Sequence, residues 1–225
     1  SGLLDCGRRA LDSGAYGAFP TPGPGGRARC WPSRTPPCYG PEMDDRDARP
    51  SADDPWSGVA TQPATEWWPR HVVESAWLEH TPFAAWLMDA ARPSTFVELG
   101  THRGVSFLAF CQAAERLANP PRCYAVDTWQ GDEHTGAYAS EIFNSVSDLA
   151  SAHHPRIATL LRMRFDQALD RFADGSIDLL HIDGFHTYDA VAADFQSWLP
   201  TMSPRGVVLF HDTEVRERDF GVWQL

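Results

Sequence analysis

The stretch of residues 177–213 constrains the fold more than any other part of the chain. It contains two short apolar runs, at Ile177–Ile182 and at residues 207–210, and between them apolar residues recur at three- and four-residue spacing. Short apolar runs rich in Ile, Leu and Val are typical of buried strands, and the spacing between them is typical of a helix. A strand, a helix and a second strand make a parallel crossover unit. The stretch therefore predicts a parallel α/β sheet.

Polar side chains follow both of these predicted strands. Asp183 and His186 come directly after the first run, and His211 and Asp212 come directly after the second. Because the carboxyl ends of parallel strands face the ligand crevice of an open sheet, these side chains should meet at one edge of one pocket. Imidazole and carboxylate groups serve in proton transfer and in metal binding. We interpret this edge of the sheet as the reaction side of an enzyme.

Composition narrows the classes of partner. The chain has 225 residues, of which 43% are hydrophobic, and its formal net charge is −11. A strongly acidic surface repels phosphate backbones, which argues against a nucleic-acid partner. No apolar run approaches the roughly 18–20 residues that cross a bilayer, which argues against a membrane partner. We therefore expect a cytoplasmic protein.

Cys111 and Cys123 lie in apolar surroundings typical of buried thiols, and we expect no disulfide framework.

Both ends of the chain depart from the α/β pattern. Residues 1–63 are rich in Gly, Pro, Arg, Asp and Ser, so we expect a disordered head. The first methionine is Met43, and we interpret residues 1–42 as non-native sequence; a genuine disordered tail is the alternative. Residues 64–225 then form the folded domain. Its last eleven residues have an amphipathic pattern that predicts the start of a helix, so we expect the domain to continue past Leu225.

A second strand–turn–helix unit lies earlier in the folded part. Residues 95–100 form a short apolar strand, which leads through THRGVS into a predicted helix at residues 107–117. Gly100 permits a sharp turn out of the strand, and Gly104 permits a ligand or the helix to approach the backbone closely. The amino terminus of the helix, with Ser106 near its cap, offers free N–H groups. This loop is a candidate ligand site.

The next predicted strands suggest the type of ligand. A strand about twenty residues past the loop ends in Asp127, where an acidic residue can accept hydrogen bonds from both hydroxyls of a ribose. The loop has neither G-x-G-x-x-G nor the Lys-Ser/Thr pair of a P-loop, so we favour a ligand with a ribose but no pyrophosphate. We expect Glu98 to orient the loop or a ligand ammonium group. The alternative is that Glu98 is simply a polar residue at the end of the strand. Met163 and Phe165, after a third strand, should lie at the crevice edge beside an adenine ring.

Three segments carry a resemblance to a known family: VELGTHRGVS, YAVDTW, and DLLHIDGFHTYDAV followed by GVVLFHDT. They resemble the class I S-adenosylmethionine-dependent methyltransferases. More narrowly, they resemble a bacterial group that includes sugar O-methyltransferases of the macrocin and mycinamicin kind and cephalosporin hydroxylase-like proteins. The resemblance covers residues 77–225. It implies a Rossmann-like, doubly wound α/β sheet in which five parallel strands, in the order 3-2-1-4-5, are present and the C-terminal strands of the family are missing.

The resemblance also implies roles for individual residues. The residues that would contact S-adenosylmethionine are Glu98, Gly100, Thr101, Gly104, Ser106, Asp127, Met163 and Asp183. In metal-dependent members, an Asp and a later acidic pair hold Mg²⁺, which implies Asp183, Asp212 and His211, although His211 stands where the family has an acid. The family's base is the His three residues after the first Asp, which implies His186. A His ligand would favour manganese or iron over magnesium.

The predicted function is methyl transfer from S-adenosylmethionine to a hydroxyl of a sugar or glycosylated small molecule, with divalent-metal assistance. An alcohol has a high pKa, so its oxygen needs a general base, a metal ion or both. The alternatives are a non-catalytic nucleoside-binding module of a larger glycan-processing protein, metal-independent methyl transfer, and oxidoreduction. His181 is interpreted as a core histidine, and the alternative for His186 is a polar helix-start residue bonded to Asp183. The oligomeric state stays open, with a homo-oligomer among the options.

Overall fold

The computed structural model describes residues 67–132, 136–217 and 219–225. The expectations for residues 1–63 lie outside this part. The strands are β1 Thr95–Leu99, β2 Arg122–Asp127, β3 Gly131–Asp132, β4 Gly136–Ala137, β5 Ala158–Arg162, β6 Ile177–Ile182 and β7 Met202–Phe210. The α-helices are α1 Thr81–Ala91, α2 Val105–Ala114, α3 Ser140–His153, α4 Phe165–Ala168 and α5 Tyr188–Trp198. No helix in these ranges is both long and apolar enough to cross a bilayer.

The main sheet has five strands in the order β5-β2-β1-β6-β7, and all of its pairings are parallel. When only the five strands of this sheet are numbered along the chain, their order is 3-2-1-4-5. The predicted α/β fold is therefore confirmed. The strands β1 and β6 lie at the centre and are buried along their whole length, as expected of the apolar runs of a parallel sheet. Their register places Glu98 beside His181, a pairing of residues that are 83 positions apart in the sequence.

Each face of the sheet carries an apolar cluster. Alternate residues of a strand point to opposite faces, so Phe96 packs with α1 and α2 while its neighbour Val97 packs with α5. Trp198, at the end of α5, is fully buried in the second cluster. Cys111 and Cys123 are buried free thiols, which confirms the prediction for them. Helices on both faces give the sheet the doubly wound architecture.

The predicted helix boundaries need correction at two places. α2 begins at Val105 with Gly104 as its N-cap, two residues before the predicted start, and Ser106 lies near the cap as a buried residue of the first turn. Gly104 adopts φ +79°, a left-handed conformation that favours glycine. Near the end of the chain, no α-helix forms in the described residues past Asp212, and a short 3₁₀ helix at Val222–Gln224 takes its place.

Candidate active site

A cavity of about 570 Å³ lies at the carboxyl ends of β1, β2 and β6. This volume falls within the range of about 300–1,000 Å³ that is usual for small-molecule sites. Most of the residues predicted for the site line it: Gly100, Thr101, Ser106, Asp127, Asp183, His186, His211 and Asp212. Among the described residues, the lining does not include Glu98, Gly104 or Met163.

The structure gives these three residues other positions. Glu98 is fully buried beneath the loop that follows β1. A Cβ at Gly104 would meet Val146 Cγ1 at 3.1 Å, so this glycine permits α3 to pack against α2 and does not face the cavity. Met163 packs against the apolar cluster on the α5 side of the sheet. Phe165, its predicted companion, does line the cavity.

Backbone hydrogen bonds tie the loop after β1 to β2 and the loop after β6 to β1. The Gly100 N–H donates to the Val126 carbonyl at 2.9 Å, and the Asp183 N–H donates to the Leu99 carbonyl at 2.8 Å. Gly100 has φ +87°, and a Cβ there would lie 1.9 Å from the carbonyl oxygen of Asp183. Glycine is therefore required at position 100 by both its conformation and its surroundings.

Asp127 fixes the loop after β1 from the neighbouring strand. Its Oδ2 accepts from the N–H groups of Thr101 at 2.9 Å and His102 at 3.0 Å, and its Oδ1 accepts from the Trp129 N–H at 2.7 Å. An ionised carboxylate has about four acceptor positions, so capacity for a ribose hydroxyl remains. The loop-holding role was missed in the sequence, because it depends on how β1 and β2 lie side by side.

Replacing Asp127 by alanine removes the acceptor of three backbone N–H groups. We expect the free energy of unfolding to fall by about 2–4 kcal/mol, because hydrogen bonds to charged groups contribute about 1.5–3 kcal/mol each and water replaces part of the loss. Thermal and urea unfolding measure this change. Asp170→Ala, at an exposed position, is the charge-matched control and should leave stability unchanged. Equal stabilities of the two variants would contradict the loop-holding role.

Glu98 and His181 form a buried pair below the cavity floor. His181 Nδ1 lies 2.9 Å from Glu98 Oε2, and both side chains are almost inaccessible to solvent. Burial raises the pKa of Glu98, an effect that hydrogen bonds from His181 and Ser106 oppose. Trp77 packs edge-on against the His181 ring at 4.8 Å. The interpretation of His181 as a core histidine therefore has a named partner, the carboxyl group of Glu98.

Asp183, His186, His211 and Asp212 form one compact cluster in the cavity wall. Each offers one ligand atom, and these atoms all lie within 4.8 Å of one another. His186 Nε2 lies 3.2 Å from an oxygen of Asp183 and 3.2 Å from an oxygen of Asp212. His211 Nδ1 lies 3.3 Å from Asp183 and 3.2 Å from Asp212. The two imidazoles thus alternate with the two carboxylates, and the four side chains gather at one edge of the cavity, as the crossover unit predicted.

The charges within the cluster strongly shift the pKa values of Asp183 and His211. Burial alone would raise the pKa of Asp183, but the contacts with His186 and His211 hold it well below its usual range. Burial would likewise lower the pKa of His211, but the two carboxylates raise it to about 10. Without a metal ion, a protonated His211 neutralises part of the carboxylate charge. A cation bound between the carboxylates would replace that proton.

The donor set of the cluster fits a first-row transition metal better than magnesium. Two imidazole nitrogens and two carboxylate oxygens are mixed donors, whereas magnesium prefers oxygen ligands. The four nitrogen–oxygen separations of 3.2–3.3 Å are those of paired side chains, in which His186 meets one oxygen of Asp212 and His211 meets the other. His186, predicted only as a base, lies in the same group of candidate ligand atoms.

Some lining residues carried no signal in the sequence. Trp77 stacks on the His211 ring with centroids 5.6 Å apart, and it enters the cavity wall from a segment before α1. Asp194 reaches the cavity from α5, where its position in the helix resembles that of any solvated acid. Neither contact follows from local spacing, because both depend on how separate elements pack together.

Both the family match and a similar protein can be placed on the sequence of this chain. A family model described as a methyltransferase domain matches residues 97–213. The uncharacterized protein y4gI of Sinorhizobium fredii (strain NBRC 101917 / NGR234) is 55% identical over 150 residues, covering 67% of this chain. The matched region covers 16% of that protein, so this chain spans about a sixth of the length of its curated relative.

Two similar solved structures have modest overlap with this one. The methyltransferase PaMTH1 of Podospora anserina, solved with SAH bound, aligns with a TM-score of 0.49 at 15% identity, covering 68% of this chain and 60% of that one. The O-methyltransferase TomG of Streptomyces achromogenes, solved in complex with SAM, aligns with a TM-score of 0.47 at 15% identity, covering 68% and 61%.

Proposed function

This chain belongs to the methyltransferase domain family, and on that premise we propose that its cavity binds S-adenosylmethionine and that the protein methylates a hydroxyl group of a small molecule. The acceptor that we propose is a sugar or a glycoside, with a divalent metal ion assisting the reaction. The observation that carries the proposal is the continuity of one cavity from the Asp127-bound loop to the His–Asp cluster. A cofactor held by the loop and a hydroxyl held by the cluster would meet in that space.

The cofactor side of the site is built for a nucleoside. S-adenosylmethionine, when bound, supplies a sulfonium methyl group to an oxygen nucleophile. Asp127 would accept from a ribose hydroxyl with the acceptor position that the loop leaves open. The N–H groups of the first turn of α2 would face the methionine end together with Thr101. Glu98 would act indirectly, as a buried group paired with His181 behind the loop that follows β1.

The His–Asp cluster provides the reaction side. His186 would take the proton of the acceptor hydroxyl as the new carbon–oxygen bond forms and the sulfur–carbon bond breaks. Asp183 and Asp212, each with an oxygen 3.2 Å from His186 Nε2, would stabilise the resulting imidazolium. Phe220 stacks on the His186 ring with centroids 4.5 Å apart and holds its orientation. Asp183, Asp212 and His211 would hold the metal ion, which lowers the pKa of a coordinated hydroxyl.

Replacing His186 by glutamine separates the role of base from the role of ligand. As a base, His186 contributes about 100- to 10,000-fold to turnover, so we expect a loss of that size with metal affinity unchanged. Methyl transfer is measured as S-adenosylhomocysteine released, and metal affinity by calorimetry with Mn²⁺. His153→Gln, at an exposed position of α3, is the matched control and should retain both properties. Weaker Mn²⁺ binding by His186→Gln would make His186 a ligand and contradict the assignment as base.

The acceptor class is tested by a substrate panel. Purified protein with S-adenosylmethionine and Mn²⁺ or Mg²⁺ is offered sugars, nucleotide sugars, glycosides and catechols, and the methylated product is identified by mass spectrometry. Methylation of glycosyl hydroxyls is expected. Methylation confined to catechols would reject the sugar acceptor while retaining the methyl-transfer reaction, and binding of NAD without S-adenosylmethionine would reject the reaction itself.

A further inference from the structure

The cavity wall also includes residues of α4 and α5 and the residue after Asp183. Phe165, Gly184 and Asp194 converge there. A Cβ at Gly184 would lie 2.6 Å from a ring carbon of Phe165 and 3.5 Å from Oδ2 of Asp194. Because residue 184 is glycine and has no side chain, an aromatic ring and a carboxyl group can come together at the edge of the cavity. A flat ring flanked by a hydrogen-bonding group is a suitable environment for a nucleobase.

The carboxyl group of Asp194 makes no hydrogen bond or ion pair with any other described residue. Its acidic neighbour, Asp166, is instead paired with Arg164. The other elements packed against α5 direct their charges elsewhere, since Asp178 of β6 pairs with Arg205 and His181 of β6 pairs with Glu98. Val222–Gln224 and the 3₁₀ helix Leu199–Thr201 contribute no charged side chain. Asp194 is thus a polar group at the cavity wall with unused hydrogen-bonding capacity.

We propose that Asp194 is the residue that recognises the Watson–Crick edge of the cofactor's adenine, a role that rests on the binding of S-adenosylmethionine proposed above. A neutral carboxyl group is complementary to this edge. Its O–H donates to N1 of adenine, and its carbonyl oxygen accepts from the 6-amino group. An ionised carboxylate can only accept, and it repels the lone pair of N1. Recognition therefore requires the protonated acid.

The surroundings keep Asp194 protonated to unusually high pH. Burial, with the negative charge of Asp166 as a second cause, raises the pKa of Asp194 to about 7. Below this pH the acid is neutral and binds both adenine atoms, and above it the proton is lost. Cofactor affinity should therefore be highest at mildly acidic pH and should fall as the pH rises through about 7. This direction is opposite to that expected if a carboxylate were the acceptor for the 6-amino group.

Calorimetry with S-adenosylhomocysteine, in the presence of a chelator and between about pH 6 and about pH 8.5, tests this assignment. The wild-type dissociation constant should rise about tenfold or more across this range. Asp194→Asn has the donor and acceptor of a neutral acid, so it should bind about as tightly as the wild type at low pH and should lose the pH dependence. Asp194→Ala should bind weakly throughout. Other titrating groups of the cavity, including His102, Asp183, His186 and His211, are the same in all three proteins.

A second probe examines the contact with N1 directly. Adenosine and 1-deazaadenosine differ at this atom, so wild-type protein at pH 6 should prefer adenosine by about fivefold or more, and Asp194→Ala should show no preference. S-adenosylhomocysteine binding with identical pH profiles in wild type and Asp194→Asn would overturn the role of Asp194 and leave the proposed function standing. Absence of S-adenosylhomocysteine binding in all variants at every pH would overturn both.

Discussion

Gly100→Ala is expected to lower the free energy of unfolding by about 3–5 kcal/mol and to abolish cofactor binding. The added Cβ would lie 1.9 Å from the carbonyl oxygen of Asp183 and 2.5 Å from its carbonyl carbon. Both atoms belong to the backbone, and the Asp183 N–H is already bonded to Leu99, so no flexible side chain can move aside. The substitution would therefore push the loop after β1 away from the loop after β6, between which the cavity lies.

The strain of a left-handed backbone alone does not account for the expected loss of stability in Gly100→Ala. Substitution of a second left-handed glycine, Gly175, measures how much that strain contributes. Gly175 has φ +67°, and a Cβ there would meet nothing within 4 Å. Gly175→Ala should thus cost only about 1–2 kcal/mol, the penalty for a left-handed conformation. Urea unfolding of the two variants, with calorimetry for S-adenosylhomocysteine, compares them. A loss in Gly100→Ala no greater than that in Gly175→Ala would mean that the two loops can separate without consequence.

Asp183→Asn is expected to reduce turnover by at least about 100-fold while the protein stays folded. Asp183 links the cluster to the central strand, because its side chain meets His186 and His211 and its backbone N–H donates to the Leu99 carbonyl of β1. The amide of asparagine has the same shape but no negative charge, so it would neither stabilise an imidazolium nor attract a cation. Methyl transfer and Mn²⁺ affinity should decline together, and circular dichroism should show an unchanged fold.

Asp178→Asn provides the matched control at the other end of the same strand. Asp178 accepts from the Ser94 N–H at 2.7 Å, the Ser203 hydroxyl at 2.7 Å and Arg205 at 3.0 Å, far from the cavity. These contacts lower the pKa of Asp178 in spite of its burial, so their stabilising effect is present at neutral pH and is lost as the pH falls. We expect this variant to lose about 1–3 kcal/mol of stability and to keep its turnover. Equal turnover in the two variants would contradict the assignment of Asp183.

Much of the architecture was predictable because it follows from local patterns. The apolar run of β6 was located to the residue. Strand–helix alternation predicted parallel strands, and the family resemblance implied the order of the five strands of the main sheet. Helix ends were less accurate, since α2 begins two residues earlier and ends three residues earlier than its apolar spacing indicates. The glycine at its cap was expected to permit the approach of a ligand or of the helix that follows it, and the structure places Val146 of α3 against Gly104 instead.

The sequence by itself determined which residue types stand after each parallel strand. In such a sheet all strands end at the same edge, so the gathering of Asp183, His186, His211 and Asp212 follows from connectivity. Only the tertiary structure decided that Glu98 lies beside His181, that Asp127 holds the loop after β1, and that Asp194 reaches the cavity. These contacts depend on strand register and on the packing of helices against the sheet. The physical reason is that periodicity reports which face of an element is buried, whereas the partner that it meets there is set by the whole chain.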